Sequence, residues 1–474
     1  MNIVQDLISV VGKEYVSDRL PERYVYSFDM TENEPREPAA VVMPSTVREV
    51  QEILLLANRT RTPVVPFVTG QNVGGLTIPQ VDGAVVIDLK RMDRIVEVDE
   101  DAMYAVLEPG VTFGHLRRHL DQYHPFLRYT YPLAPPYTSV MANALLQGLC
   151  DLSTRQGAMG DFINGLEAVL PTGEIVRVGS GVMGDGNWFG RYPLPDLVGL
   201  FSGWQGMTGI VTKIAVQLWP KPRHVEHAAL FTFGEQETTD LVSAIARTQV
   251  LDDADCMSLS IAKMLLGVAA PVKAFPGEPD YATLLTVSGN TASEVSEKMS
   301  VVRECVERAK RVEPRQLLVP WRAVKTLMGE QADSWVDFPS DAFKVLTEYD
   351  GLTWVGTYIH PRQWAAALRG GRAIVERYGF ELMAFLKPMK GMHFSEFKFI
   401  IRFPKDQATV ERVRRCNEEI LDLALSLGAI PYKTPVWAAK RLQSLMDPGY
   451  VALVRRVRDL LDPNHIMNPG RWGL

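Results

Sequence analysis

Cysteine is scarce in this chain and scattered. Cys150, Cys256, Cys305 and Cys416 are the only four in 474 residues, and no two form a C-x-x-C pair, so neither a zinc site nor a disulfide framework is indicated. A reducing compartment, and with it a cytoplasmic location, is the expectation. Basic runs are missing too. With a formal net charge of -6 and a pI near 5.9, the chain lacks the cationic excess of a nucleic-acid binder. No uncharged apolar run reaches the roughly 18 residues that a membrane span requires. The first residues, Met1 to Glu14, alternate at helical spacing without the basic start and long apolar core of a secretory signal. Internal repeats and low-complexity tracts are absent as well.

What is present is glycine in loops at strand ends. In Pro63-Val-Val-Pro-Phe-Val-Thr69-Gly70-Gln71-Asn72-Val73-Gly74-Gly75 a β-branched run stops in a loop of three glycines and small polar side chains. Such a loop offers backbone amides, and consecutive amides make an anion cradle suited to phosphate or pyrophosphate. Around it the pattern is regular. A short N-terminal helix leads to a polar connector, Thr31 to Pro38, then a strand at Ala40–Met43 and a helix capped by Ser45 with a Val50, Ile53, Leu54, Ala57 stripe. Strands follow at 83–89, 95–99 and 104–108, then a helix from Phe113 capped by Thr112. Tyr129 to Asn143 is proline-broken and aromatic, a loop that lies against something. A hairpin, 166–170 with 175–178, turns through Pro-Thr-Gly. Gly179 to Gly190, containing Trp188, reads as a mobile insert. After Pro220 the glycine density falls. Helices are predicted at 291–312 and 364–378, and strands at 352–359 and 397–403. Length alone implies two or three units.

Three motifs occur in one order: the loop after Val64–Phe67, Gly203-Trp-Gln-Gly-Met-Thr-Gly209-Ile-Val-Thr entering a strand, and the tail Asp462-Pro-Asn-His-Ile-Met-Asn468-Pro-Gly470. Together they resemble the FAD-binding fold shared by vanillyl-alcohol oxidase, p-cresol methylhydroxylase and the FAD-linked 2-hydroxy-acid dehydrogenases. The resemblance implies an α+β fold: a two-subdomain FAD-binding domain of p-cresol methylhydroxylase type and an α+β cap domain with an antiparallel sheet. The divisions it implies are an N-terminal helix and connector (1–37), the FAD domain (38–222), the cap (223–440) and a segment returning to the FAD domain (441–474). Thr69, Gly70, Gln71, Asn72, Val73 and Gly74 match the pyrophosphate loop. Ser139, Val140 and Asn143 match the stretch beside the ribityl chain and flavin, Gly157 and Asp161 a flavin-side loop, and Gly209, Ile210 and Val211 the adenine side. Asn468 joins them from the tail.

Within that superfamily, Tyr432-Lys433-Thr434 resembles a Tyr-Arg-Thr segment of the phenol-oxidising branch, where the tyrosine binds a phenolate and the arginine supports negative charge. Here Lys433 is a point charge in place of a fork. Two departures stand out. Val73-Gly74 occupies the place of a second phenolate-binding tyrosine, and Leu133-Ala134-Pro135 that of a catalytic aspartate; Tyr129, Tyr131 or Tyr137 are candidate replacements. The hydroxy-acid branch uses histidines and a carboxylate to hold a metal, and this chain has no His-Gly-Asp segment. His115 and His119, at i and i+4, lack a third ligand, so no metal is expected. His393 is a pocket base, a covalent flavin link or an ordinary strand-edge residue. The expectation is an FAD-dependent oxidoreductase taking a hydride onto flavin N5 from a para-substituted phenol or aromatic alcohol, with Tyr432, Lys433 and His393 as catalytic candidates. The alternatives are a D-lactate- or glycolate-type dehydrogenase and a flavin-carrying subunit of a complex. The expected partners are the small substrate, an electron acceptor (a cytochrome, or a flavoprotein or iron–sulfur subunit) and further copies of the chain.

Overall fold

The β-branched runs make the first layer. In the computed structural model, which describes residues 3–265, 272, 275–329 and 350–474, four strands lie in the order Val16–Ser17, Ala40–Val42, Val85–Asp88, Val64–Phe67. The last three are parallel and their valines are buried on both faces, as parallel strands require. The helix Val47–Thr60 packs over them, and its cap lies one residue later than expected. Thr46 accepts the Glu49 amide at 3.1 Å while Glu49 takes the Ser45 amide at 2.6 Å. Only Thr46 stands three residues before a glutamate, the spacing a reciprocal capping box needs. Met1 and Asn2 of the expected first helix, and parts of the expected 223–440 unit, lie outside the described residues.

The second layer is a five-stranded antiparallel sheet in the order Ile95–Asp99, Tyr104–Leu107, Ile210–Gln217, Ile163–Val169, Ile175–Gly179. It contains the expected hairpin, and Thr112 caps the helix Phe113–Tyr123 through the His115 amide. The glycine-rich insert is pinned rather than loose. Trp188 is buried, its carbonyl accepts from Asn164 at 3.0 Å, and Ser180 and Gly190 bond to each other. A side chain at Gly181 would come within 2.4 Å of the indole, so the glycines make room for the anchor.

The third layer is an eight-stranded sheet, antiparallel at every pairing, in the order Leu317–Pro320, His224–Thr232, Tyr281–Gly289, Asp253–Ser258, Ala384–Met389, Phe394–Phe399, Thr357–Ile359, Ile430–Pro431. Helices Glu235–Arg247, Ala292–Ala309, Trp364–Arg377 and Gln407–Ser426 pack together over cores that include Ala254, Cys256, Leu285, Leu386, Phe397 and Phe399. Because side chains alternate along a strand, Asp253, Asp255, Thr286, Lys387, Glu396 and Lys398 share the other face. Two expected strands are each split. Gly351–Thr353 pairs with Ile401–Phe403 in a separate ribbon, and Thr357–Ile359 joins the large sheet. The break falls at Gly356, where any Cβ would stand 2.4 Å from the Tyr432 ring.

The chain ends by returning to the first sheet. After the helix Pro448–Leu461, the Asp462 carboxylate takes the amides of Ile466 and Met467 at 3.0 and 2.8 Å. The Val64 amide donates to Ile466 and the Asn468 amide to Val64, each at 2.8 Å. Among the described residues no helix is long and apolar enough to cross a membrane.

Candidate active site

The loop after Phe67 holds its shape through glycine. Gly70 and Gly74 have φ of 68° and 93°, left-handed values that other residues adopt at a cost. A Cβ at Gly70 would lie 2.8 Å from the Phe67 ring. None of the amides of Thr69, Gly70, Gln71, Val73 and Gly74 donates to another described residue. The end of the loop, by contrast, is fully tied. Asp29 accepts the Gly75 amide at 3.0 Å, and Arg471 donates to the carbonyls of Gly75, Leu76 and Ile78 at 3.0, 2.8 and 2.9 Å. The segment expected as a polar connector is therefore partly interior: Thr31 and Glu32 are buried, as is Asp29 just before it, and Glu32 binds Arg414 and Asn417 of a cap helix. Asp29 and Glu32 reach partners on both sides of the molecule, and this explains why polar residues can be buried there.

A cleft opens beside this loop. Ser139 forms one wall, its amide donating to Thr69 Oγ1 at 3.2 Å and its hydroxyl to the Pro109 carbonyl at 2.6 Å. Gly206 and Gly209 form another, where a Cβ would meet Pro66 at 2.7 Å and the Val169 carbonyl at 2.6 Å. Asn468 closes a third, donating to the Gln205 carbonyl at 2.6 Å and accepting from Arg471 at 3.1 Å. Among the described residues, no aspartate, glutamate or arginine lines the cleft. Free amides, missing side chains and the absence of a carboxylate suit a long anionic cofactor with a pyrophosphate, such as FAD.

A second cavity lies between the cleft and the face of the large sheet that carries Asp253, Asp255, Lys387 and Lys398. Gln71, Asn72, Thr138, Asn143 and Lys433 line both. Lys433, at φ 48°, donates to Asn143 Oδ1 at 2.8 Å. Burial, with the like charge of Lys398, pulls its ammonium down to about 8. Tyr432 is stacked on Tyr358 with ring centres 4.8 Å apart, and its hydroxyl donates to Glu396 at 3.3 Å. Burial beside the Glu396 carboxylate raises this phenol well above the ordinary value.

Deeper in the chamber is a charged group that sequence reading missed. Lys387, 2% exposed, bridges Asp253 at 2.6 Å and Asp255. Thr154 donates to Asp253 at 2.8 Å. Burial pushes the Asp253 carboxyl up, Lys387 opposes this, and Asp255 and Asp151 reinforce it. Burial alone would lower Lys387, but the two carboxylates hold it above the ordinary lysine value. The signal was available: Asp253-Ala-Asp255 and Lys387 are charges at alternate positions of apolar strands, which places them on one sheet face. Their meeting depends on the Cys256–Leu386 register, which no local pattern reveals.

The structure brings Thr69, Gly70, Gln71, Asn72, Ser139, Asn143, Gly209, Ile210, Val211 and Asn468 to the cleft, Lys433 to its junction with the chamber, and Tyr432 to the chamber wall. Val73 lines the chamber instead of the cleft. Gly74 packs against Pro435, and Val140 is buried behind the Ser139 wall. Gly157 and Asp161 line neither cavity; Asp161 is exposed and pairs with Lys390 at 3.7 Å. His393 is exposed on the turn between Ala384–Met389 and Phe394–Phe399 and lines neither cavity. Tyr131 and Tyr137 face the chamber along with Leu133, Ala134 and Pro135, whereas Tyr129 is buried in a neighbouring cavity. Among the described residues no group of three or more His, Cys, Asp or Glu could hold a metal ion.

Residues 38–179 match the FAD binding domain family, and residues 221–472, over half the chain, match the FAD linked oxidases, C-terminal domain, family. The chain belongs to this family: it is an FAD-linked oxidoreductase, and its cofactor is FAD. It is 26% identical to the glycolate oxidase subunit GlcD of Bacillus subtilis, across 99% of this chain and 96% of the relative. Against the flavoprotein subunit of 4-cresol dehydrogenase [hydroxylating] of Pseudomonas putida it is 25% identical, across 99% and 95%. The solved structure of 4-ethylphenol oxidase from Gulosibacter chungangensis superimposes with a TM-score of 0.88 at 21% identity, covering 100% of this chain and 96% of that one. The fold is thus the two-part α+β fold of that structure.

Proposed function

We propose that the protein oxidises a para-substituted phenol or an aromatic alcohol at the carbon attached to the ring. The observation that carries this reading is Lys433, which lines both the cofactor cleft and the chamber, with Tyr432 next to it in sequence on the chamber wall. A phenol oxygen that gains negative charge stabilises the cation forming at the para carbon as a hydride departs, and a hydroxyl with an adjacent ammonium favours that charge. Tyr432 binds the substrate oxygen, and Lys433 supports the charge on substrate or cofactor. Met257, Leu284, Leu352, Trp354, Phe385 and Ile400 surround the ring and exclude water. When bound, FAD supplies the hydride acceptor. Thr69 to Gly74, Ser139, Asn143, Gly209 to Val211 and Asn468 hold it, with the unpaired loop amides taking the pyrophosphate. Residues 38–222 act as the FAD domain, 223–440 as the cap, and 441–474 as the segment that locks the pyrophosphate loop.

A second reading is a 2-hydroxy-acid dehydrogenase. It is supported by the full-length similarity to GlcD and by Lys387, Lys398 and Lys433, three cations in one chamber that suit a substrate carboxylate. Both relatives are named as subunits, which supports an acceptor protein as the partner that reoxidises the cofactor. Anaerobic bleaching of the flavin separates the two readings. We expect 4-ethylphenol or 4-hydroxybenzyl alcohol to bleach it, with no change on adding a chelator; bleaching by D-lactate or glycolate alone would establish the second reading.

A further inference from the structure

The polar chain at the junction does not end at Tyr432. Glu396 accepts from the Tyr432 hydroxyl at 3.3 Å and from Lys398 at 2.9 Å, both on Oε1. Its other oxygen, Oε2, is buried without a partner. A wholly buried carboxylate with an unused oxygen is costly as an anion and much less so as an acid. Burial accordingly pushes the Glu396 carboxyl up, against the pull of Lys398 and Lys387. The titratable groups facing it are Lys398 on its own strand, Lys387 opposite it on the neighbouring strand, and the phenols of Tyr432 and Tyr358. A hydroxyl has one proton and two lone pairs; the Tyr432 proton is committed to Glu396, so the oxygen can still accept from a substrate.

We propose that Glu396 is the final acceptor of the proton lost by the substrate hydroxyl, received through Tyr432. This rests on the reading in which Tyr432 binds the substrate oxygen. The substrate O–H bond breaks as an O–H bond forms on Tyr432, and the proton that Tyr432 held passes to Glu396, which becomes a neutral acid. The substrate C–H bond breaks with its electron pair, and that hydride goes to the FAD. The substrate loses one proton and one hydride; the negative charge that Glu396 gives up leaves with the hydride, so chamber and cleft together keep their net charge. Glu396 touches neither substrate nor cofactor; it acts through Tyr432 and determines where the proton rests.

The test uses the FAD-loaded full chain and 4-nitrophenol, which has no carbon to oxidise and reports its own ionisation by colour. Binding is followed in weak buffer with a pH indicator, at a pH where the free phenol is un-ionised. The wild type is expected to bind it as phenolate and release almost no proton. Glu396→Gln is expected to release close to one proton per phenolate, or to bind only the un-ionised phenol. Should that variant fold poorly, Tyr432→Phe is expected to lose the proton uptake as well. A wild type that releases one proton per phenolate, or binds only the un-ionised form, overturns the relay and leaves Tyr432 as a substrate ligand. Equal stoichiometry in wild type and Glu396→Gln does the same. No binding of 4-nitrophenol to the wild type overturns the phenol reading and the relay with it.

Discussion

Among the described residues Lys433 is the one charged side chain lining the cofactor cleft, whereas the chamber across from it is lined by Asp151, Asp253, Asp255, Lys387, Lys398 and Lys433. The cleft is built from what is missing: amides without partners and glycines where a side chain would collide. The chamber is built from what is added, ionised groups on a sheet face that apolar residues would otherwise fill. A cofactor used in every turnover meets backbone, which cannot titrate. The substrate meets side chains, whose charge depends on their neighbours. The two regions should therefore respond differently to pH.

The sharpest break is at Lys387. Replacing it by methionine leaves the buried Asp253 and the part-exposed Asp255 without a counter-charge, which should cost about 3–5 kcal/mol near neutral pH. The sign of the pH effect follows from the pair. Burial already raises Asp253, and without Lys387 it rises further, so the penalty applies above that raised value and fades as the carboxyl protonates. Urea unfolding of Lys387→Met should show the protein gaining stability from pH 8 to pH 5, relative to wild type. A penalty of equal size at both pH values would separate the loss from charge.

Beneath the cleft loop, Arg471→Met leaves the Gly75, Leu76 and Ile78 carbonyls without donors, an expected loss of about 3 kcal/mol, read by unfolding and by weaker FAD retention on gel filtration. The abandoned hydrogen-bond acceptors do not titrate, and Asp29 is the titratable group facing Arg471, so between pH 8 and pH 5 this loss should change less than that of Lys387→Met. Gly209→Val is expected to lower FAD content by about tenfold, since its Cβ would press on a backbone carbonyl 2.6 Å away in a conformation that disfavours side chains. The cap core, far from this position, should still unfold cooperatively.

The smallest effect falls at the junction. Lys433, held down near 8 by burial and Lys398, is charged below that value and neutral above it, so anaerobic flavin reduction should slow as pH rises through about 8. Lys433→Met should run at a lower rate without that limb, and Lys433→Arg should move the limb beyond the measurable range.

How much was legible in the sequence follows the same division. Turn chemistry is local: Thr69 to Gly75, Gly203 to Thr212 and Asp462 to Gly470 carry their conformations in their own residues, and the cleft could be assembled from them. The Trp188 anchor and the buried Asp29–Glu32 segment were less so. Glycine near an aromatic, or polar residues near a proline, read as mobile or exposed until their distant partners, Asn164, Arg414 and Asn417, are in place. The chamber charges were least legible, because Lys387 meets Asp253 and Glu396 meets Tyr432 only through strand register, and one step of slippage would exchange them for Leu386 and Phe397. His393 illustrates the converse: it sits close in sequence to these strands, but on the turn and on the outside.

The most direct measurement is single-turnover anaerobic reduction of the bound flavin by 4-ethylphenol, in wild type and in Tyr432→Phe, with FAD content measured on the same samples. If Tyr432 binds the substrate oxygen, the variant keeps its FAD and reduces it about tenfold more slowly or worse, the loss of one hydrogen bond to a charged group. Equal rates in the two proteins, with FAD equally bound, would contradict the assignment of the junction as the place where substrate and cofactor meet.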